Sequence, residues 1–242
     1  MAATADDQAW INGQQLYFAP RLSCESVDPA ALAEAIGMIC NLRSFEAIGS
    51  DRHYLHRSGM VLLGDTAITT AAFLPQQGKT DDFDQCLIEL PLSAGGGTAF
   101  RIEGRDYQCL GGVLGLFLPG QAMQAVSSAP TASLGFNLDP QRLAALLVQM
   151  STGTLTPEQA RLELQRPHPI QLQDPRVAEL WQWLQAVLPM LEASAIAGSD
   201  PQGGLALAIE ELLYRASLLM IRPDLIQTTP LPLPGPTLAA GH

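Results

Sequence analysis

The stretch from Cys86 to Val126 restricts the possible folds of this chain more than any other. It holds the strand-length run Cys-Leu-Ile-Glu-Leu-Pro-Leu, the turn Ser-Ala-Gly-Gly-Gly-Thr, the run Ala-Phe-Arg-Ile-Glu, and a closing Gly-Gly-Val-Leu-Gly-Leu-Phe-Leu-Pro-Gly. Short apolar runs broken by glycine-rich turns at close spacing predict an antiparallel meander or jelly roll rather than a parallel α/β sheet. On the first strand Cys86, Ile88, Leu90 and Leu92 share one face, and Leu87 and Glu89 take the other. Pro91 lacks an N–H and suits a strand end or edge. Gly95–Gly97, Gly104 and Pro119-Gly120 mark the reversals.

Strand signals continue on both sides of this stretch. Met60–Leu63, the turn Gly64-Asp65 and Thr66–Leu74 read as a hairpin, and Met123–Val126 and Ala132–Leu138 as two further strands. The expectation is a barrel of about eight strands from Met60 to Leu138. Before it, Trp10–Phe18 reads as a short first strand, Asp28-Pro29 as the start of a helix to about Cys40, and 41–57 as loop or edge strand. The polar segment 76–84 reads as a loop.

At Asp139 the hydrophobic period changes from two to nearly four. Asp139-Pro140 pairs an N-cap with a first-turn proline, and Leu143, Leu146, Leu147 and Met150 form a helical stripe. Thr156-Pro157-Glu158-Gln159 is a capping box. Asp174-Pro175 and Asp200-Pro201 open two longer helices, the first kinked or ended by Pro189. Residues 223–242 hold five prolines and no Lys or Arg, and predict an extended or disordered tail. The chain thus divides into an N-terminal segment and barrel (1–138), a helical region (139–222) and the proline-rich tail.

Composition removes several classes of function. Hydrophobic residues make up 47% of the 242, enough for a sizeable core, and no run is long and apolar enough to span a membrane. The amino-terminal residues lack the basic and apolar regions of a secretion signal, so a cytoplasmic protein is expected. Thirteen basic against 24 acidic residues give a net charge of −11, with Lys79 the sole lysine. Such a surface repels polyanions, and no direct nucleic-acid binding by these residues is expected. Cys24, Cys40, Cys86 and Cys109 have neither zinc-site nor redox spacing and read as small buried hydrophobes.

The search for catalytic chemistry finds little. His53 and His56 do not make the His-x-His pair of metal-binding barrels and read as surface histidines, while His168 reads as lying in a proline-flanked turn outside the barrel. Gly95-Gly96-Gly97-Thr98 leads into a strand rather than a helix and is a turn, not a phosphate cradle. Glu210-Glu211 reads as a helix-surface feature with Arg215 one turn on. No metal, no cofactor and no enzymatic activity are expected.

The segment "LIELPLSAGGGTAFRIEGRDYQCLGGVLGLFLPG" resembles the effector-binding domain of AraC-type transcription regulators, and the resemblance extends from about Leu32 to Arg222. It implies an α+β fold: a cupin-like antiparallel β-barrel or jelly roll followed by a C-terminal helical segment that mediates dimerisation. "IEELLYRASLLMIRPDL" looks like the last helix before the family's basic helix-turn-helix module, where this chain continues in prolines instead. The implied function is ligand sensing and dimerisation, without its own DNA-binding module. A cupin-fold isomerase or oxygenase and a ligand-free interaction module are the alternatives.

Small barrels can enclose one ligand. Alternation on the strands offers Glu89, Arg101, Glu103 and Tyr107 as lining groups for an effector whose identity the sequence leaves open. Arg101 suits a carboxylate and Tyr107 an aromatic face. A homodimer is expected through the helices between Asp174 and Arg222, using Leu205, Ile209, Leu212, Leu213, Ala216, Leu218 and Leu219. Leu207, Leu218 and Met220 are expected on faces that the chain itself leaves uncovered.

Overall fold

A computed structural model of the chain describes residues 5–18, 24–26, 29–37, 40–49, 55–196 and 204–226. Its centre is one antiparallel sheet built from β1 (Cys24–Ser26), β2 (Leu42–Ala47), β3 (His56–Leu63), β4 (Thr66–Phe73), β5 (Gln76–Thr80), β6 (Cys86–Pro91), β7 (Gly97–Ile102), β8 (Arg105–Leu110), β9 (Leu114–Leu118), β10 (Met123–Ser127), β11 (Thr131–Leu138) and β12 (His168–Gln171). The strand order is β1-β3-β4-β11-β6-β9-β8-β7-β10-β5-β2, with β12 added beside β9. Every pairing is antiparallel. The sheet curls, so that the inner face of β4, β11 and β6 looks across a cavity at β7, β10 and β5. The fold class is α+β, a curled antiparallel sheet followed by helices.

Parity along the strands divides the sheet into two faces. Ile68, Ile88, Leu90, Leu134, Phe136 and Leu138 point outward from the barrel into a core shared with the helices. Their neighbours in sequence, Thr69, Leu87, Glu89, Ser133, Gly135 and Asn137, point into the cavity. The helices covering the first face are α3 (Pro140–Met150), α4 (Pro157–Glu163), α5 (Pro175–Ile196) and α6 (Gly204–Ile221); α1 (Ala5–Gly13) and α2 (Pro29–Gly37) precede the barrel. A second cluster with Ile11, Leu16, Leu55 and Phe73 seats α1 at another side of the sheet.

The caps written in the sequence are present. Asp139 accepts from the Gln141 and Arg142 amides at 2.7 and 2.8 Å. Thr156 and Gln159 form the reciprocal capping box, and Asp174 accepts from the Arg176 amide at 2.9 Å. The expected helix start at Asp200-Pro201 lies outside the described residues, as does the tail beyond 226.

Four expectations are corrected. Trp10 belongs to a helix, and residues 14–18 form no strand. The polar segment 76–80 is a strand, because β2 and β10 pair with it on both sides and satisfy its backbone regardless of its side chains. His168 starts a strand rather than lying in a turn, held by β9 with Ile170 buried. Helix α5 does not end at Pro189 but continues through it to Ile196. Pro189 is exposed while Leu184, Leu188 and Leu191 are buried, so packing on both sides of the proline holds the helix across the lost hydrogen bond.

Helix α6 is tied to the barrel by a buried acidic residue. Glu210 is 3% exposed and accepts from the Thr66 hydroxyl at the start of β4 at 2.9 Å and from the Asp65 amide of the β3–β4 turn at 3.2 Å. Arg142 of α3 pairs with it at 2.8 Å, stacks 4.2 Å from the Tyr214 ring centre, and reaches Glu211 at 3.2 Å. Burial works against the Arg142 charge, but the hydrogen bonds to Glu210 and Glu211 outweigh it and raise its pKa. Gly64, at φ +56, leaves room for this contact: a Cβ there would lie 2.8 Å from Glu210 Oε2. Only Glu211 fits the surface reading, pairing with Arg215 at 2.8 Å.

Candidate functional site in the barrel

The barrel encloses a cavity of about 180 Å³. Its wall is mainly apolar. Phe45, Phe73, Leu87, Phe100 and Met123 contribute from five different strands, Phe83 from the loop between β5 and β6, and Ile36 and Cys40 approach from the α2 side. For scale, a dry engineered cavity of about 150 Å³ accepts benzene. Gly135 keeps part of the wall thin beside Glu89, its partner in register. A Cβ at 135 would come within 2.6 Å of Thr69 Oγ1.

The polar groups converge on one strand junction. Thr98 on β7 and Ser127 on β10 are buried, and their hydroxyls lie 2.9 Å apart. Across from Thr98 the Glu89 carboxyl projects from β6 into the same cavity. Desolvation raises the Glu89 pKa to about 7, and the Thr98 hydroxyl nearby pulls the other way. A carboxyl in apolar surroundings favours its neutral form, because the ion loses its water and finds no counter-charge. Among the described residues lining the cavity there is no lysine, arginine or histidine.

Of the four residues expected to line the barrel, the structure places only Glu89 in the cavity wall. Arg101 lies on the outer face of β7, exposed, with its guanidinium 3.9 Å from Asp106. Glu103 sits at φ +49 in the tight β7–β8 turn and faces solvent. Tyr107 is half-buried and packs with Phe100 and Ile102, outside the cavity lining. The reason is register: Thr98, Phe100 and Ile102 turn inward, so Arg101 between them must turn out. Sequence reasoning missed Thr98, Ser127 and the four phenylalanines. The signal that could have found them is the same parity, carried across the β7–β8 and β7–β10 pairings.

The histidine expectation is also corrected. His56 is fully buried on β3, and burial lowers its pKa to about 4; His53 lies outside the described residues. No group of three or more His, Cys, Asp or Glu gathers into a metal-binding arrangement among the described residues.

The helix residues expected at a dimer interface separate into two sets. Leu213, Ala216 and Leu218 are buried in the chain's own core, Leu218 completely, and Met220 joins them. These side chains cannot present an outward face, because α6 lies on the sheet and turns them into the shared core. Ile209 and Leu219 are half-buried, Leu207 and Leu212 are exposed, and the Leu205 side chain lies outside the described residues.

No family model and no curated protein matches the chain. Among solved structures, the AraC-like transcriptional activator CuxR matches with a TM-score of 0.54 over 82% of this chain and 69% of that one, at 12% identity. The EutQ protein of Clostridium difficile matches 36% of this chain and 69% of its own, at 11% identity and a TM-score of 0.30. A cupin-like protein of Thermotoga maritima matches 39% of this chain and 71% of its own, with the same identity and score. At these identities the likeness is one of fold: the chain shares its arrangement of barrel and following helices with an AraC-like activator.

Proposed function

We propose that this chain is the ligand-sensing and dimerisation part of an AraC-like transcription regulator, that the barrel cavity is its effector site, and that it works by binding rather than catalysis. The observation that carries the reading is the cavity itself, a mostly apolar space with polar groups gathered at one place, as small-molecule sites usually are. Its fold likeness to an AraC-like activator supports a regulatory role. In this reading DNA is contacted by a basic module other than these 242 residues, whose net charge is −11. Exposed Leu207 and Leu212 on α6 and Met190 on α5 are the residues through which two copies would associate.

A thermal-shift screen of compact small molecules on wild type and on Ala125→Leu tests the site. Ala125 lines the cavity, and leucine there would fill part of it. A true effector at a hundred times its dissociation constant stabilises wild type by about 2.7 kcal/mol and leaves Ala125→Leu unmoved. Equal shifts in both proteins would place the ligand elsewhere. Stoichiometric metal in the purified protein would instead favour a cupin-fold enzyme.

A further inference from the structure

We infer that the effector is a compact apolar amine, its ammonium group paired with Glu89 and its hydrocarbon body held among the phenylalanines of the cavity. This rests on the reading of the barrel as the effector site and adds the chemical class.

Three observations lead to an amine. The first is that the cavity places one carboxyl against apolar walls with no cationic side chain among its described lining residues. Glu89 is half-buried, and a carboxyl set among apolar groups without a counter-charge is a cost to folding that a hydrophobic residue would avoid. A ligand that brings the missing positive charge turns that cost into affinity. The second is the wall: Phe45, Phe73, Phe83 and Phe100 surround the same space. The face of an aromatic ring attracts a cation, and the attraction is stronger in a dry site. The third is the hydroxyl chain from Ser127 to Thr98, which supplies an acceptor beside Glu89 for a second ammonium hydrogen. A carboxylate or phosphate ligand would meet Glu89 with like charge and no compensating cation. The net charge of −11 also concentrates cations, rather than anions, around the protein. The volume limits the body to the size of a substituted benzene or a short alkyl chain.

Binding should be coupled to one proton. The titratable side chains around Glu89 are the thiols of Cys109 on β8 and Cys40 at the cavity wall, both pushed up by burial and neutral at physiological pH. Glu89 is therefore the group that must ionise when an ammonium arrives. Its raised pKa means that below about pH 7 an amine displaces a proton as it binds. Affinity should rise with pH up to about 7 and level off above it.

Calorimetry with 2-phenylethylamine, 2-phenylethanol and phenylacetate, on wild type, Glu89→Gln and Ala125→Leu, provides the test. The expected result is that wild type binds the amine at least tenfold more tightly than the alcohol and does not bind the acid. Glu89→Gln should lose at least tenfold in amine affinity while keeping the alcohol. At pH 6 the amine should release a proton into buffer on binding wild type, seen as a dependence of the heat on the buffer's ionisation enthalpy. If the alcohol or the acid binds wild type as well as the amine, and Ala125→Leu abolishes that binding, the cavity is the effector site and the amine inference is overturned alone. If none of the three binds wild type, both the site and the inference fail. Unchanged amine affinity in Glu89→Gln overturns the inference whatever the other results.

Discussion

At the scale of single residues, Glu89 and His56 pull the stability of the protein in opposite directions as pH changes. The folded state raises the Glu89 pKa from 4.5 to about 7. Its stabilising contribution is fully present below pH 4.5 and is lost as pH rises through 7, since the unfolded chain gives up its proton first. Glu89→Gln removes that loss. Urea denaturation at pH 4.5 and pH 8 should show the variant gaining on wild type by on the order of 3 kcal/mol between the two. His56 does the reverse, because burial lowers its pKa from 6.5 to about 4. Its contribution is present above pH 6.5 and is lost as pH falls through 4. A His56→Gln protein should accordingly lose less stability than wild type when acidified from pH 7 to pH 4, by the same denaturation measurement. Glu89 was legible in the sequence because it alternates with Cys86, Ile88 and Leu90 on one strand. Arg101 and Glu103 were not resolved from it, since an exposed arginine and an inward one have the same alternation until cross-strand register is known.

At the scale of elements, α6 is fixed to the barrel at one end of the β3–β4 turn, and the sequence gives little sign of it. Glu210 stands next to Glu211 one turn before Arg215, a pattern that a surface ion pair explains fully. What distinguishes Glu210 is its burial against Thr66 and Asp65, more than 140 residues away. Replacing it with alanine leaves Arg142 and the turn hydrogen-bond donors unpaired and should cost about 3 kcal/mol in chemical denaturation. Two leucines of the same helix separate packing from association. Leu218→Glu puts a carboxylate into the core and should abolish folding or lower the melting temperature by tens of degrees. Leu212→Glu sits on the exposed face, should leave the melting temperature within a few degrees, and should weaken self-association in sedimentation. Capped helices were read well because Asp-Pro and the capping box act through local contacts. Strand β5 was not, because its Gln-Gln-Gly-Lys-Thr sequence carries no alternation and exists as a strand only through its two neighbours.

At the scale of the whole molecule, a sheet with one face committed to a helical layer and the other to a cavity accounts for both the size of the core and the polar groups left inside. Thirteen basic against 24 acidic residues give a net charge of −11, so these 242 residues should show no sequence-specific footprint on duplex DNA at physiological salt. A small ligand that enters the barrel reaches Met123, and methionine methyl spectroscopy reports on that directly. Met123 lines the cavity, Met220 lies in the core between sheet and helices, and Met190 is exposed on α5. During titration with 2-phenylethylamine the Met123 methyl resonance should shift saturably while Met190 and Met220 stay in place. Shifts at Met190 with Met123 unmoved would put the ligand on the helices, and that result would contradict the barrel as the site.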